Sequence, residues 1–143
     1  MSLRVREAAT RDLAAIAELL GQLDYPTDES SLAERLERYS DVEGAHLILA
    51  EEGGEAIGLA ALQLMPLMHR DLPVARITAM VVRSDRRGQG VGRRLEEELE
   101  AVARREGCGR IDLTSRYRRE EAHDFYRSLG FEDTSRRFVK DLG

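Results

Sequence analysis

The sequence has little of several residue types, and each shortage excludes something. It contains one cysteine, Cys108, no tryptophan and three prolines in 143 residues. A lone cysteine cannot form an internal disulfide, which favours a reducing, cytoplasmic compartment. No apolar run approaches the ~18 residues that a membrane span needs, and the first residues, "MSLRVREAATRDL", lack the apolar core of a signal peptide. We therefore expect a cytoplasmic protein that does not bind membranes.

Lysine is also scarce, and positive charge is unevenly placed. The net charge is −5, and Lys140 is the only lysine. Residues 1–82 carry 7 basic and 14 acidic side chains, whereas residues 83–119 carry 11 basic and 7 acidic ones. A nucleic-acid surface is usually basic across a whole domain, so no nucleic-acid partner is expected. The basic middle indicates a local anion site, although a general preference for arginine explains it equally well.

The chain reads as one domain over residues 1–143, because no repeat, low-complexity tract or linker divides it. "LRVREA" alternates as a strand does, and two helices are predicted next, the first capped by Thr10 and the second by a capping box at Ser31 and Glu34. Two apolar runs around Gly53 and Gly54 predict an antiparallel hairpin, and "VARITAMVVR" predicts a buried strand.

The second half alternates helix and strand. A helix is predicted from Val91 to Gly107, a strand at "RIDLTS" and a last helix that closes at Gly130. "FEDTSRRFVKDL" is predicted to form one or two further strands. The order indicates an α/β protein (α+β by some schemes), with a mixed, mostly antiparallel sheet of six or seven strands flanked by about four helices.

The stretch "RRGQGVGRR" joins a predicted strand to a predicted helix. The first amides of a helix are unpaired and lie at the positive end of the helix dipole, so this junction suits an anion. Gly88, Gly90 and Gly92 would let a phosphate approach the backbone closely. Neither the dinucleotide pattern GxGxxG nor the nucleotide pattern GxxxxGK[ST] fits the spacing, since Arg93 stands where the first pattern needs a small residue.

Two motifs together resemble the GCN5-related N-acetyltransferase family. The family's acetyl-CoA motif, [Q/R]-x-x-G-x-[G/A], is matched by residues 87–92, and its later signature, A-x-x-[FL]-Y-x-x-x-G-F, is matched by residues 122–131. The resemblance extends over nearly the whole chain. It implies the family fold and an enzyme that moves an acetyl group from acetyl-CoA directly to a primary amine of a small molecule, peptide or protein, with no metal.

The resemblance also implies roles for particular residues. The backbone that would hold the pyrophosphate is that of Arg87, Gly88, Gln89, Gly90, Val91 and Gly92, with Arg93 assisting. Met80, Val81 and Val82 would pair through their backbone with the pantetheine arm, and an N–H there would polarise the thioester carbonyl. Tyr126 would protonate the departing thiolate, since the pKa values of a phenol and a thiol are close. A core aromatic is the alternative interpretation of Tyr126.

The general base is left open by the sequence. Thr114 stands where some relatives have glutamate, and Arg119 stands where asparagine is frequent. His69, in the loop before a long strand, is the candidate base, and His123 and Glu120 are alternatives. The acidic N-terminal half would attract a cationic amine, although dispersed surface charge explains the acids equally well.

Two further hypotheses stay open beside the enzyme. Thr114 in place of glutamate and Arg119 in place of asparagine favour a non-catalytic CoA-binding or sensing module of the same fold. The presence of Tyr126 argues against such a module. A phosphate-binding scaffold outside the family would have to match the second motif by chance. Members of the family are often dimers, so a homodimer is possible here, but no apolar stripe in the sequence is left over to show an interface.

Overall fold

The structure, a computed structural model of the chain, describes residues 2–115 and 119–143. No helix in this part of the chain is both long and apolar enough to cross a membrane. Single 3-10 turns lie at Thr10–Asp12 and Ser84–Arg86. The strands and helices, in chain order, are β1 (Arg4–Glu7), α1 (Leu13–Gln22), α2 (Glu29–Ser40), β2 (Ala45–Glu52), β3 (Glu55–Met65), β4 (Val74–Val82), α3 (Val91–Arg105), β5 (Arg110–Leu113) and α4 (Glu120–Ser128).

The strands form one mixed sheet in the order β1-β2-β3-β4-β5. The first four strands pair antiparallel, and β5 pairs parallel to β4. β2 and β3 form the predicted hairpin, with positive φ angles of 59° at Gly53 and 82° at Gly54. The parallel pair requires a crossover, which α3 provides. The mixed sheet with its antiparallel first half and the four α-helices are therefore confirmed.

Each face of the sheet carries its own apolar core. On one face Leu95 and Leu99 of α3 pack on the side chains of β3 and β4, and α4 contributes partly buried aromatic rings. On the other face Ile16 and Leu19 of α1 pack with Leu32 and Leu36 of α2. This arrangement confirms the prediction that helices cover both faces.

The cap of α2 differs from the prediction. The sequence suggested a capping box at Ser31 and Glu34, but α2 begins at Glu29 and Asp28 is its N-cap. The Asp28 carboxylate accepts from the Ser31 N–H at 2.8 Å, and the Ser30 hydroxyl donates to it at 2.7 Å. These bonds lower the pKa of Asp28, the Ser31 N–H most of all. Asp28 serves as the cap because aspartate accepts well at this position and it stands one position before the helix.

The C-terminal segment, residues 132–143, also differs from the prediction. One or two strands were expected here, but the described residues of the segment contain no strand, and the sheet has five strands rather than six or seven. Its side chains are exposed throughout. A strand needs a partner for its backbone groups, and the described residues of this segment pair with none of the five strands.

One acidic side chain is buried in the core face of α3. Glu96 is 2% exposed, and its Oε1 atom has no hydrogen-bond partner in the described residues. Burial, followed by the hydrogen bond and charge of Glu100, raises the pKa of Glu96 to about 8. Glu96 therefore keeps its proton in the folded protein at neutral pH, because the charged form is poorly solvated there.

Replacing Glu96 with glutamine is expected to flatten the pH dependence of stability. The folded protein holds a proton that the unfolded chain releases near pH 4.5, so the free energy of unfolding falls as pH rises from about 4.5 to about 8. Glu96→Gln should be more stable than the parent by less than about 1 kcal/mol at pH 5 and by about 4 kcal/mol at pH 8. Urea unfolding of the parent and the variant at pH 5 and pH 8 measures the four free energies of unfolding. Glu106→Gln is the control, because Glu106 is exposed at the C-terminal end of α3. An equal gain in the free energy of unfolding of Glu106→Gln at pH 8 would contradict the prediction.

Candidate active site

The glycine loop between β4 and α3 has the conformation that the sequence predicted. Gly88 and Gly90 adopt positive φ angles of 76° and 85°, and Gly90 is the N-cap of α3. A Cβ atom at either position would have no heavy atom within 4 Å beyond its chain neighbours. These two glycines are therefore required by backbone angle, and the space above them is open.

The first turn of α3 offers backbone donors beside this open space. The first helical hydrogen bond runs from the Arg94 N–H to the Gly90 carbonyl at 3.1 Å. The N–H groups of Val91, Gly92 and Arg93 precede it, so no carbonyl one turn earlier lies within the helix to accept from them. Unpaired amides at the positive end of a 15-residue helix are an anion-binding arrangement.

Gly92 has a different task from the other two glycines. A Cβ atom there would lie 2.9 Å from Cζ of Phe125 on α4, which is closer than side chains pack. Its φ angle is not positive, so packing and not backbone angle requires glycine at this position. The missing side chain lets α4 lie directly on the first turn of α3. The loop and the helix that carries Tyr126 are thus in contact.

The arginines around the loop are in two different situations. Arg86 is already paired, since its Nη2 atom lies 2.8 Å from Glu52 Oε1 and its Nε atom donates to Gln89 Oε1 at 3.0 Å. Arg93 and Arg94 are exposed on the first turn of α3, and no described acidic side chain lies within ion-pair distance of either. Arg93 and Arg94 therefore offer positive charge to an anion on the helix side of the loop, and Arg87, which is exposed and, among the described residues, bonded only to the Val82 carbonyl, offers it on the strand side.

The pairing of β4 with β5 stops halfway along β4. The parallel register runs from Val74 opposite Arg110 to Ile77 opposite Leu113. β4 continues to Val82, paired with β3 alone among the described strands. Thr78 lies where the pairing stops, and it is the extra residue of a bulge, because Ala61 faces Ala79 while Leu62 faces Ile77. The second half of β4 therefore has an open edge that leads to the glycine loop.

Backbone alternation decides which residues of β4 face this open edge. The Arg83 N–H donates to the Ile57 carbonyl of β3 at 2.8 Å. Alternate residues of a strand direct their backbone groups to opposite sides, so those of Val81 also face β3, and those of Met80 and Val82 face the open edge. The Val82 carbonyl accepts from Arg87 Nε at 3.1 Å, in agreement with this assignment. Of the three strand residues predicted to bind the pantetheine arm, Met80 and Val82 thus have backbone groups that are available to a ligand.

Tyr126 lies on α4, against the same core face as Met80 and Val82. Its ring centroid is 5.4 Å from that of Phe125 and 5.9 Å from that of Phe131. Burial raises the pKa of the Tyr126 phenol, and the charge of Arg119 lowers it by a smaller amount. The phenol therefore stays protonated at neutral pH and can act as a proton donor.

Comparison with known proteins relates this geometry to a family. The family model described as "Acetyltransferase (GNAT) family" matches residues 11–131. The chain belongs to this family. The GNAT chain is 32% identical over 138 residues to the aminoglycoside N(6')-acetyltransferase type 1 of Stenotrophomonas maltophilia, which covers 92% of this chain and 88% of the relative. It is 32% identical over 143 residues to the aminoalkylphosphonate N-acetyltransferase of Salmonella typhimurium, with 96% and 90% covered.

A solved structure shows the same fold. The GNAT family acetyltransferase of Staphylococcus aureus superimposes with a TM-score of 0.86 at 28% identity, and the match covers 99% of this chain and 100% of that one. The resemblance that the two motifs indicated is therefore confirmed. So are the fold class and the expectation of an N-acetyltransferase.

The candidate bases of this GNAT enzyme lie in different parts of the structure, and only Glu120 and His123 share α4 with Tyr126. His69 is exposed in the loop before β4 and lines a cavity of about 360 Å³ with Gly109 and Arg110, at the start of β4 and β5. The glycine loop follows the other end of β4. His123 lies half-buried on α4, and Thr114 is exposed directly after β5. No group of three or more metal-ligating side chains occurs among the residues described.

Two features of the GNAT site were missed in the sequence, although each left a signal. Gly58 of β3 lies under α3, where a Cβ atom would be 2.9 Å from Cδ1 of Leu95 and 3.1 Å from Cγ1 of Val91. A glycine inside the apolar run "AIGLAAL" indicates such a close approach. The bulge at Thr78 is signalled by a polar residue within the apolar run "ITAMVV".

Proposed function

We propose that this N-acetyltransferase uses acetyl-CoA as its acetyl donor and transfers the acetyl group to a primary amine of a small molecule or peptide. The observation that carries the proposal is the glycine loop at the start of α3, which lies at the end of the half-open strand β4. A linear donor with a diphosphate at one end and amide groups along its length fits these two features together. The thioester of acetyl-CoA supplies an activated acetyl group when bound.

The backbone of Arg87 to Gly92 holds the diphosphate in this proposal. The amides of Val91, Gly92 and Arg93 supply hydrogen bonds, and the open space over Gly88 and Gly90 admits the phosphate oxygens. Gln89 contributes its backbone, since its side chain is bonded to Arg86. Arg93 adds an exposed positive charge.

The open edge of β4 holds the extended arm of the donor. The backbone groups of Met80 and Val82 pair with its amides as a strand would, while Val81 completes the strand from the β3 side. An N–H on this edge also polarises the thioester carbonyl. Arg87 covers the Val82 carbonyl in the free protein, so it must move or share that carbonyl when the arm binds.

Tyr126 provides the proton in this proposal. Its hydroxyl oxygen keeps a proton at neutral pH because burial disfavours the phenolate. The phenol lies on the core face shared with Met80 and Val82, so it is on the same side of the sheet as those two residues of the proposed donor-arm site. It donates this proton to the departing thiolate, and the acceptor amine loses its own proton to water or to a base.

The acceptor in this proposal is a primary amine, and the acidic residues of the first half bear on whether it is cationic. Several acids of the first half are already paired with arginines, namely Asp12, Glu51, Glu52 and Glu55. The excess of acid in this half therefore gives weaker attraction for a cationic amine than its count suggests. The named substrates of the two relatives, aminoglycosides and aminoalkylphosphonates, are the first amines to test.

The proposal is tested in two steps on the purified chain. Saturating CoA should stabilise the folded state by about 2.7 kcal/mol at one hundred times its dissociation constant, which a thermal melt detects. Pantetheine lacks the diphosphate and should give a much smaller shift. Thiol release from acetyl-CoA is then measured over a panel of aminoglycosides, aminoalkylphosphonates, polyamines and peptide N-termini. An unchanged melting temperature with CoA would exclude the proposal, and CoA binding without thiol release for any amine would favour the non-catalytic module.

A further inference from the structure

The bulge at Thr78 determines which residues of β4 face each side of the sheet. Before the bulge, Ala75 and Ile77 pack with α3 in one apolar core. After the bulge, Met80 and Val82 pack in that same core. The residues on this face therefore change from odd to even numbers at Thr78, whereas an uninterrupted strand would keep odd numbers throughout. Without the bulge, the side chains of Met80 and Val82 would lie on the opposite face of the sheet.

The bulge also decides which backbone groups reach the open edge of β4. Because backbone groups alternate along a strand, a strand without the extra residue would present those of Ala79 and Val81 at this edge. With the extra residue, Met80 and Val82 present theirs. A bulge disrupts the ladder of hydrogen bonds around it, so strand pairing alone holds it weakly. The position of the open-edge amides therefore depends on what fixes the bulge.

The side chain of Tyr39, on α2, bonds to the sheet at the row of the bulge. Its hydroxyl oxygen lies 3.0 Å from the His46 carbonyl oxygen of β2 and 3.1 Å from the Leu62 carbonyl oxygen of β3, and its single proton is shared between them. Leu62 is one of the two residues of β3 between which the register with β4 shifts. Tyr39 therefore joins α2 to the two strands that precede the bulged one.

Thr78 bonds to the same phenol from β4. Burial raises the pKa of Tyr39, and the hydrogen bond with the Thr78 side chain opposes that rise. The phenol donates its proton to the carbonyls, so its oxygen accepts from the Thr78 hydroxyl. Thr78 is an exposed residue, and apolar packing therefore contributes little to holding it. The bond to Tyr39 fixes the extra residue of the bulge from the side of α2.

We infer that Tyr39, acting through Thr78, holds the bulge of β4 and thereby positions the open-edge backbone groups of that strand for acetyl transfer. This role rests on the proposed function, because that function places the acetyl donor on the open edge of β4. Tyr39 is a positioning residue and not a catalytic one, since α2 packs on the face of the sheet opposite to Tyr126. Its effect reaches the reaction through the backbone of β4.

Amide resonances in a two-dimensional NMR spectrum test the hold on the bulge without any ligand. Tyr39→Phe keeps the ring and removes the hydroxyl, and Thr78→Val keeps the branched shape and removes the other hydroxyl. Both variants should shift the amide resonances of Met80 and Val82. Ser40→Ala is the matched control, because the Ser40 hydroxyl donates within α2 at 2.8 Å and its loss should leave these resonances unchanged. Unshifted resonances in both hydroxyl variants would overturn the inference.

Steady-state thiol release from acetyl-CoA, with an amine that the parent acetylates, tests the consequence for catalysis. Tyr39→Phe and Thr78→Val should each lower kcat about tenfold or more, because a slightly misplaced N–H stabilises the transition state poorly. The double variant should lower kcat no further, since the two hydroxyls act as one unit. Thr78→Ser keeps the hydroxyl and should keep kcat. The dissociation constant of CoA should change much less than kcat, because the glycine loop is untouched.

A purely structural role of Tyr39 would give a different pattern. If Tyr39 only anchors α2 to the sheet, Tyr39→Phe should lower the melting temperature and leave kcat unchanged, and that result would overturn the inference. Additive losses of kcat in the double variant would overturn it as well. If the parent releases no thiol from acetyl-CoA with any amine, the proposed function fails instead, and the amide resonances still decide whether Tyr39 fixes the bulge.

Discussion

Tyr126→Phe is expected to lower kcat by roughly 10² to 10⁴, the range that a positioned general acid contributes. The partly buried phenol is protonated at neutral pH, and phenylalanine keeps the ring while removing the hydroxyl group. The contacts with the rings of Phe125 and Phe131 should therefore persist. We expect unchanged CoA affinity and melting temperature, measured by calorimetry and thermal unfolding, beside the loss in steady-state thiol release.

A second variant separates the hydroxyl from the ring. Tyr126→Leu removes both, so it should lose stability as well as turnover, because the two ring contacts disappear. If Tyr126→Phe instead retains full kcat, Tyr126 is a core aromatic. If Tyr126→Phe loses stability as Tyr126→Leu does, the hydroxyl is structural, and its role as the acid is wrong.

Gly90→Ala is expected to weaken CoA binding about tenfold or more, equivalent to at least 1.4 kcal/mol. In the free protein the new Cβ atom meets no heavy atom within 4 Å, so it creates no clash there. It would occupy the space through which the diphosphate reaches the amides of the first turn of α3. The positive φ angle of 85° adds a separate loss of stability of about 1 kcal/mol, as for any side chain in this region.

Gly54→Ala provides the matched control for that strain. Gly54 has a φ angle of 82° and equally open surroundings, but it lies in the hairpin turn between β2 and β3. Both variants should unfold at slightly lower urea concentration, and only Gly90→Ala should lose CoA affinity in calorimetric titration. Equal CoA affinity for the two variants would show that the loop does not hold the diphosphate.

The features that the sequence predicted well depend on local residues. The hairpin at Gly53 and Gly54 and the turn at Gly88 and Gly90 were found because glycine is what positive φ angles require. The helical spacing from Val91 onwards placed α3 correctly. Pattern and backbone angle are properties of short stretches, so they can be read without the rest of the chain.

The features that escaped prediction depend on distant partners. The role of Gly92 is set by Phe125, more than thirty positions later, and the open edge of β4 exists only because β5 ends its pairing at Leu113. "FEDTSRRFVKDL" has the pattern of a strand, but a strand forms only where the edge of another strand is free to pair with it. The pattern of the segment does not show whether such an edge is within reach. His69 lies in the loop before β4, whereas the glycine loop follows the other end of that strand, and the assignment of His69 as the base stays a prediction.

The contact of Gly92 with Phe125 packs the first turn of α3 directly against α4. The helix that offers amides to an anion and the helix that carries the proton donor share this contact, and it leaves no space for even one methyl group. We therefore expect a ligand that orders the first turn of α3 to limit the movement of α4 as well. Binding free energies are reciprocal, so a ligand that orders α4 would then strengthen binding at the loop by the same factor.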